Sequence, residues 1–169
     1  MGSIIAGNLC SALGTAADAM SASRKTAKGV LYMQSLGQLL YGIATLFLGG
    51  YSASAQNLVS ILRNLAAAKK LEHKALPWIF LALGVGLGLL CNNLGLVGLL
   101  PIAANLEYTL AVFRFKDDER KLKIAYLVCI ALFMVFNAMI LNLVGAGMNL
   151  LIFGTTLAFV LKSGKKETA

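Results

Sequence analysis

The sequence predicts an all-α polytopic membrane protein: seven transmembrane helices forming two parallel three-helix bundles joined by a linker helix, a 3+1+3 plan. Three observations carry this expectation. The 169 residues are 59% hydrophobic with a further 17 glycines and only 13% charged, whereas soluble domains hold about 45–50% apolar residues with glycine included. The apolar residues run in seven stretches, most of them near the roughly 20 residues that a helix needs to cross about 30 Å of hydrocarbon. The Lys and Arg residues fall in alternate connections.

The stretches lie at about 3–22, 29–48, 51–68, 75–91, 94–113, 122–141 and 143–161. The first has no basic segment before it, so it reads as a retained helix that starts outside and not as a cleaved signal peptide. The third carries Gln56, Asn57, Ser60 and Arg63 and must sit inside a bundle where those groups find partners. The fourth is the shortest and sets Gly84 and Gly88 at GxxxG spacing with Gly86 between them, a pattern that admits close approach of a neighbouring backbone. Seven spans leave no room for a soluble domain, which excludes nucleotide-binding folds, zinc fingers and disulfide frameworks.

The basic residues set the orientation. Arg24, Lys25 and Lys28 follow the first span; Lys69, Lys70 and Lys74 the third; Arg114, Lys116, Arg120, Lys121 and Lys123 the fifth; and Lys162, Lys165 and Lys166 the seventh. Of the 15 Lys and Arg residues only Arg63 lies elsewhere. The connections around Gly49 to Ser52, Asn92 to Asn93 and Leu141 to Asn142 hold none. Because cytoplasmic loops retain Lys and Arg, this predicts an N-terminus outside and a C-terminus in the cytoplasm.

Sliding the chain on itself by 96 residues sets Arg24 and Lys25 on Arg120 and Lys121, Gly49 on Gly145, and Lys69 and Lys70 on Lys165 and Lys166. The expected units are a first triple-helix bundle over 1–70, a linker helix over 71–93 and a second bundle over 94–169. Three spans are an odd number, so two repeats of one orientation need an extra crossing between them. Parallel repeats of this kind are the plan of the SWEET sugar carriers, in which the solute site lies near the midplane between bundles that rock to give alternating access. That transfer is made at the level of architecture.

Several local patterns resemble the bacterial inner-membrane proteins of the YgjV family. They are Gly49-Gly50-Tyr51-Ser52-Ala53 leading to Ile61-Leu62-Arg63, the helix from Leu100-Pro101-Ile102 to Thr109-Leu110-Ala111-Val112-Phe113, and Phe136-Asn137. Ser60 stands where the family tends to have Asn, and Leu110 and Phe133 where it tends to have tryptophan. The family looks related to the SWEET and PQ-loop group, so the resemblance implies a multi-pass protein of the bacterial inner (cytoplasmic) membrane.

Three ionisable groups fall inside the spans, where a charge costs roughly 2.5 kcal/mol or more unless paired or wet. Asp18, Arg63 and Glu107 each stand six or seven residues before a basic loop, which at about 1.5 Å per residue sets them in one layer about 9 to 10 Å inside the boundary. They could form an inner gate or ion pair in which Arg63 alternates between Asp18 and Glu107. The plainer reading has Arg63 snorkelling to the surface, Asp18 facing the basic rim and Glu107 either protonated or paired within the protein. A second set is Asn57, Asn105, Asn137 and Asn149 with Tyr41, expected to bind substrate. In the 96-residue register Tyr41 falls on Asn137. Amides both donate and accept, which suits hydroxyl or amide ligands, although interhelical hydrogen bonding alone explains many membrane asparagines.

Cys10, Cys91 and Cys129 lie in separate spans without CxxC spacing, and His73 sits in a basic loop, so neither a metal site nor a cofactor is expected. No phosphate loop, GxSxG or HExxH motif is present, and Asp117-Asp118-Glu119 reads as a solvated run. The reading is a carrier for a small polar solute, not an enzyme, with the lipid bilayer and that solute as partners. Nucleic acid is not expected, and a homo-oligomer is as compatible as a monomer. The alternative is a non-transporting assembly or regulatory subunit that docks through Gly84 and Gly88.

Overall fold

In the computed structural model the described residues are 1–21, 24, 26–71, 73–115 and 119–167. Lys25, Lys116, Asp117 and Asp118 lie outside them, as do the side chains of Glu119, Arg120, Lys162, Lys165 and Lys166. Among the described residues the elements are helices: α1 (Gly2–Ser21), α2 (Ala27–Phe47), α3 (Tyr51–Ala68), α4 (Leu76–Leu90), α5 (Leu96–Arg114), α6 (Glu119–Met139) and α7 (Leu143–Glu167). The third lies on its expected bounds. Helices α6 and α7 reach further into charged sequence than the hydropathy stretches do, because Glu, Lys and Arg sustain a helix as well as Leu does.

Among the described residues no helix is long and apolar enough to cross a membrane. Helix α4 has 15 residues, only about 22 Å at 1.5 Å per residue, and α3 carries Gln56, Asn57, Ser60, Arg63 and Asn64 within 18 residues.

Helices α1 to α3 pack in sequence, as do α5 to α7, and the two groups meet where α1 touches α7 and α3 touches α5. Helix α4 lies against α3 and α5. The contacts between the two groups are therefore preserved when α1, α2 and α3 are exchanged with α5, α6 and α7. Small residues set the spacing in the first group. A Cβ on Gly7 would lie 2.6 Å from Leu48, one on Gly14 2.9 Å from the Tyr41 ring, and Gly37 leaves the space that Asp18 Oδ1 fills. Helix α4 uses its glycines the same way: a Cβ on Gly88 would lie 2.5 Å from Gln56 Nε2 and 2.6 Å from Ile102 Cγ1.

Over the second helices and into the third, the repeat is set by 92 residues and not by 96. Ala27 to Glu119, Phe47 to Met139 and Tyr51 to Leu143 are each separated by 92. The turns between second and third helices repeat bond for bond. Gly50 N donates to Thr45 O at 2.7 Å and Gly49 N to Leu46 O at 3.2 Å, while Asn142 N donates to Asn137 O at 2.8 Å and Leu141 N to Ala138 O at 3.2 Å. Each is a helix end closed by a left-handed residue, Gly49 at φ 75 and Leu141 at φ 61. The 96-residue register followed the charges, and charges are free to move. In the first half Arg24 precedes α2, whereas Arg120 and Lys121 lie within α6.

Candidate functional site

Between the two groups of helices lies a cavity of about 240 Å³, below the roughly 300–1,000 Å³ of drug-sized ligand sites. Helices α1 to α3 give it nine residues: Asp18, Gln38, Tyr41, Thr45, Ala53, Gln56, Asn57, Ser60 and Arg63. Adding 92 to Gln38, Tyr41, Thr45, Ala53, Gln56, Asn57 and Ser60 gives Ile130, Phe133, Asn137, Gly145, Met148, Asn149 and Ile152, and all seven also line it. Equivalent faces of the two repeats thus form opposite walls. Asn57 pairs with Asn149, and Asn137 pairs with Thr45 where the 96-residue register paired it with Tyr41.

The walls differ in chemistry. In the first half Gln38, Tyr41, Gln56 and Ser60 are polar, and their counterparts Ile130, Phe133, Met148 and Ile152 are apolar. Both ionic groups that line the cavity, Asp18 and Arg63, come from the first half, and Arg63 falls on Thr155 in the second. Asn57, Asn105, Asn137, Asn149 and Tyr41 all border the cavity, as do Asp18 and Arg63. Glu107 does not; it stands near Tyr108 and Cys129, with Oε2 buried and without a hydrogen bond among the described residues.

Hydrogen bonds hold several of these groups in place. Asn105 Nδ2 donates to Gln56 Oε1 at 2.6 Å, and Gln56 Nε2 donates to Gly84 O at 2.7 Å, a chain that ties α5, α3 and α4 together. Gly84 and Gly88 are buried in that contact. Asn142 Nδ2 donates to Asn137 Oδ1 at 3.0 Å, and Asn142 Oδ1 accepts from Gly145 N at 3.1 Å as an N-cap of α7. The Tyr41 hydroxyl is 3.1 Å from Thr15 Oγ1 and lies beside the Asp18 carboxyl. Arg63 reaches the other way, toward Tyr108 and Cys129 of the second half, and makes no hydrogen bond or ion pair with any described residue. Sequence reasoning missed Tyr108 and Tyr126, whose rings lie 5.3 Å apart and tilted by 45°; their spacing from the loops carried no signal. Among the described residues no three His, Cys, Asp or Glu come together as a metal would require.

The end of the seam without Lys or Arg is packed shut. Ala53, Phe136 and Ile140 form a buried cluster backed by Leu48, Leu94, Val97 and Leu100, and a Cβ on Gly50 would stand 2.8 Å from Phe136 Cζ. Two asparagines bind the groups together there. Asn8 Nδ2 donates to Leu141 O at 2.9 Å and Asn8 Oδ1 accepts from Val144 N at 3.0 Å, while Asn93 Nδ2 donates to Gly49 O at 2.8 Å. Gly49 and Leu141 are equivalent positions in the repeat, and each turn is held by an asparagine from outside its own three helices: Asn8 of α1 and Asn93 of the connection before α5.

A family model, Imp-YgjV, described as bacterial inner membrane protein, matches residues 5–166. The chain belongs to this family. As an Imp-YgjV protein it is a bacterial inner membrane protein. No curated protein and no solved structure matches it.

Proposed function

We propose that this Imp-YgjV protein is a carrier that lets a small polar solute cross the bacterial inner membrane by alternating access. In this reading its seven helices cross the bilayer as two parallel three-helix bundles joined by α4, with the N-terminus outside and the C-terminus in the cytoplasm. The observation that carries it is the cavity lined by equivalent positions of the two halves, including Asn57 and Asn149. Large apolar side chains such as Leu9, Leu13, Leu39, Trp78, Leu90, Leu150 and Leu161 point outward. An exterior of that kind suits lipid, and Gln56, Asn57, Asn105, Asn137 and Asn149, which dilute the hydropathy of their helices, are turned inward to the cavity. The basic loops at one end support the orientation.

Asn57, Asn105, Asn137, Asn149 and Tyr41 would contact the solute, and Asp18 and Arg63 would stand on the path toward the cytoplasm. Because Gly84 and Gly88 are taken up by packing within the chain, the rival reading of α4 as a docking face draws no support from them. A thermal-shift screen of detergent-purified protein against polyols, sugars, carboxylic acids, amides and amino acids tests the proposal. A ligand at about 100 times its Kd adds roughly 2.7 kcal/mol to the folded state. The expected result is a stabilising compound whose effect falls in both Asn57→Ala and Asn149→Ala. A flat panel on folded protein overturns the carrier reading in favour of a non-transporting subunit.

A further inference from the structure

Resting on the carrier reading, we infer that the solute is a small organic anion with an apolar body: its carboxylate is held by Arg63 and its body lies against the patch of Ile130, Phe133 and Ile152 in the second half. The geometry narrows the ligand in three steps. Arg63 lines the cavity and makes no hydrogen bond or ion pair with any described residue, so five guanidinium donors stand ready for a planar oxyanion, the partner that arginine binds in bidentate fashion. The other ionic group on the wall, Asp18, is engaged elsewhere, beside Tyr41 and over Gly37. The second half adds Asn137 and Asn149, but the counterparts of Gln38, Tyr41 and Ser60 are Ile130, Phe133 and Ile152, a patch without a hydrogen-bonding side chain that suits an apolar part of the ligand. A polyol with hydroxyls set against that patch would leave them unmet, and each unmet polar group is costly once buried. The repeat sharpens the point: Arg63 is matched by Thr155, so the cation belongs to one wall only and gives the ligand a fixed polarity within an otherwise matched pair of faces.

The test uses the full chain in dodecyl maltoside and three matched sets of probes. The sets are benzoate, phenylacetate and hexanoate; their amides; and benzylamine with hexylamine. Thermal-shift titrations of wild type, Arg63→Lys and Arg63→Gln are read as Kd. The expected result is binding of at least one acid at least tenfold tighter than its amide, no binding of the amines, a reduced preference in Arg63→Lys and none in Arg63→Gln. The lysine variant keeps the comparison available if the glutamine variant does not fold. Amides that bind as well as the acids, or an acid preference that survives in Arg63→Gln, overturn the anion assignment and leave the carrier standing. Stabilisation by phosphatidylglycerol through Arg63 with none by the free acids makes the site a lipid-headgroup contact and also overturns it. No binding by any probe, together with a flat panel of polyols, sugars and amino acids, overturns both this assignment and the carrier.

Discussion

The two ends of the seam between the helix groups are built from opposite materials. At the end without basic residues the halves interlock. Phe136 is fully buried against Ala53 and Ile140, and Asn8 and Asn93 each reach across to the turn of the other half. Toward the basic end the walls carry Asp18, Tyr108, Tyr126 and Arg63, and Arg63 makes no hydrogen bond with a described residue. In the carrier reading proposed above, a seam packed and latched at one end and polar at the other is one of the two states of alternating access, because a site reached from both sides at once would be a pore. The difference teaches that the closed end is held by an apolar plug and two asparagine latches, neither of which the polar end has.

The largest effect comes from removing the plug. Phe136→Ala is expected to cost about 3–5 kcal/mol of stability, the range for truncating a buried phenylalanine, measured by unfolding in detergent. With Cys10, Cys91 and Cys129 replaced by Ala, a cysteine placed at Ala53 reports the seal directly. It should react slowly with an impermeant maleimide added from the neutral side in the presence of Phe136, and faster in Phe136→Ala. Equal rates in the two backgrounds would mean that Phe136 does not close this end.

How much of this was legible in the sequence follows from what each signal measures. Amide side chains in apolar helices have to point inward, so Asn57, Asn105, Asn137 and Asn149 could be placed toward the interior before any fold was known. Hydropathy gave α3 to the residue but stopped short in α7, because the helix continues through charged residues that hydropathy counts as loop. The repeat was visible, yet its register was four residues off, about one helical turn. Basic residues mark the side of the membrane and not a position in a helix, whereas the turns at Gly49 and Leu141 mark the position itself. The direction of Arg63 was beyond sequence reasoning. Snorkelling and inward pointing need the same residue at the same depth, and only the packing of α3 against α5 decides between them.

The latches should yield smaller effects, and unequal ones. Asn8 makes two hydrogen bonds across the seam and Asn93 makes one. At about 0.6 kcal/mol for an interhelical bond, Asn8→Ala should cost about 1 kcal/mol and Asn93→Ala about half of that. If the two latches share the work of holding one state, the double variant should speed labelling of the Ala53 cysteine more than either single variant does. Labelling at the wild-type rate in the double variant would assign the state to the apolar plug alone.

A last effect, of similar size, has the opposite sign and tests the equivalence of the two halves at one residue each. Gly49 and Leu141 occupy the same left-handed turn position, but only glycine takes that conformation without steric cost. A side chain there costs roughly 1–2 kcal/mol, partly offset by the greater chain entropy that glycine loses on folding, about 0.5–1 kcal/mol. Leu141 is half exposed, at 51%, so its side chain adds little packing. Leu141→Gly should therefore raise stability by about 0.5–1 kcal/mol, and Gly49→Leu should lower it by a similar amount. The carbonyl of each residue is the acceptor for the opposite half's asparagine, so both variants leave the latches intact and the Ala53 cysteine should label at the wild-type rate. A destabilised Leu141→Gly would show that the leucine packs in the turn in a way that its counterpart does not, and the two turns would then be alike in backbone only.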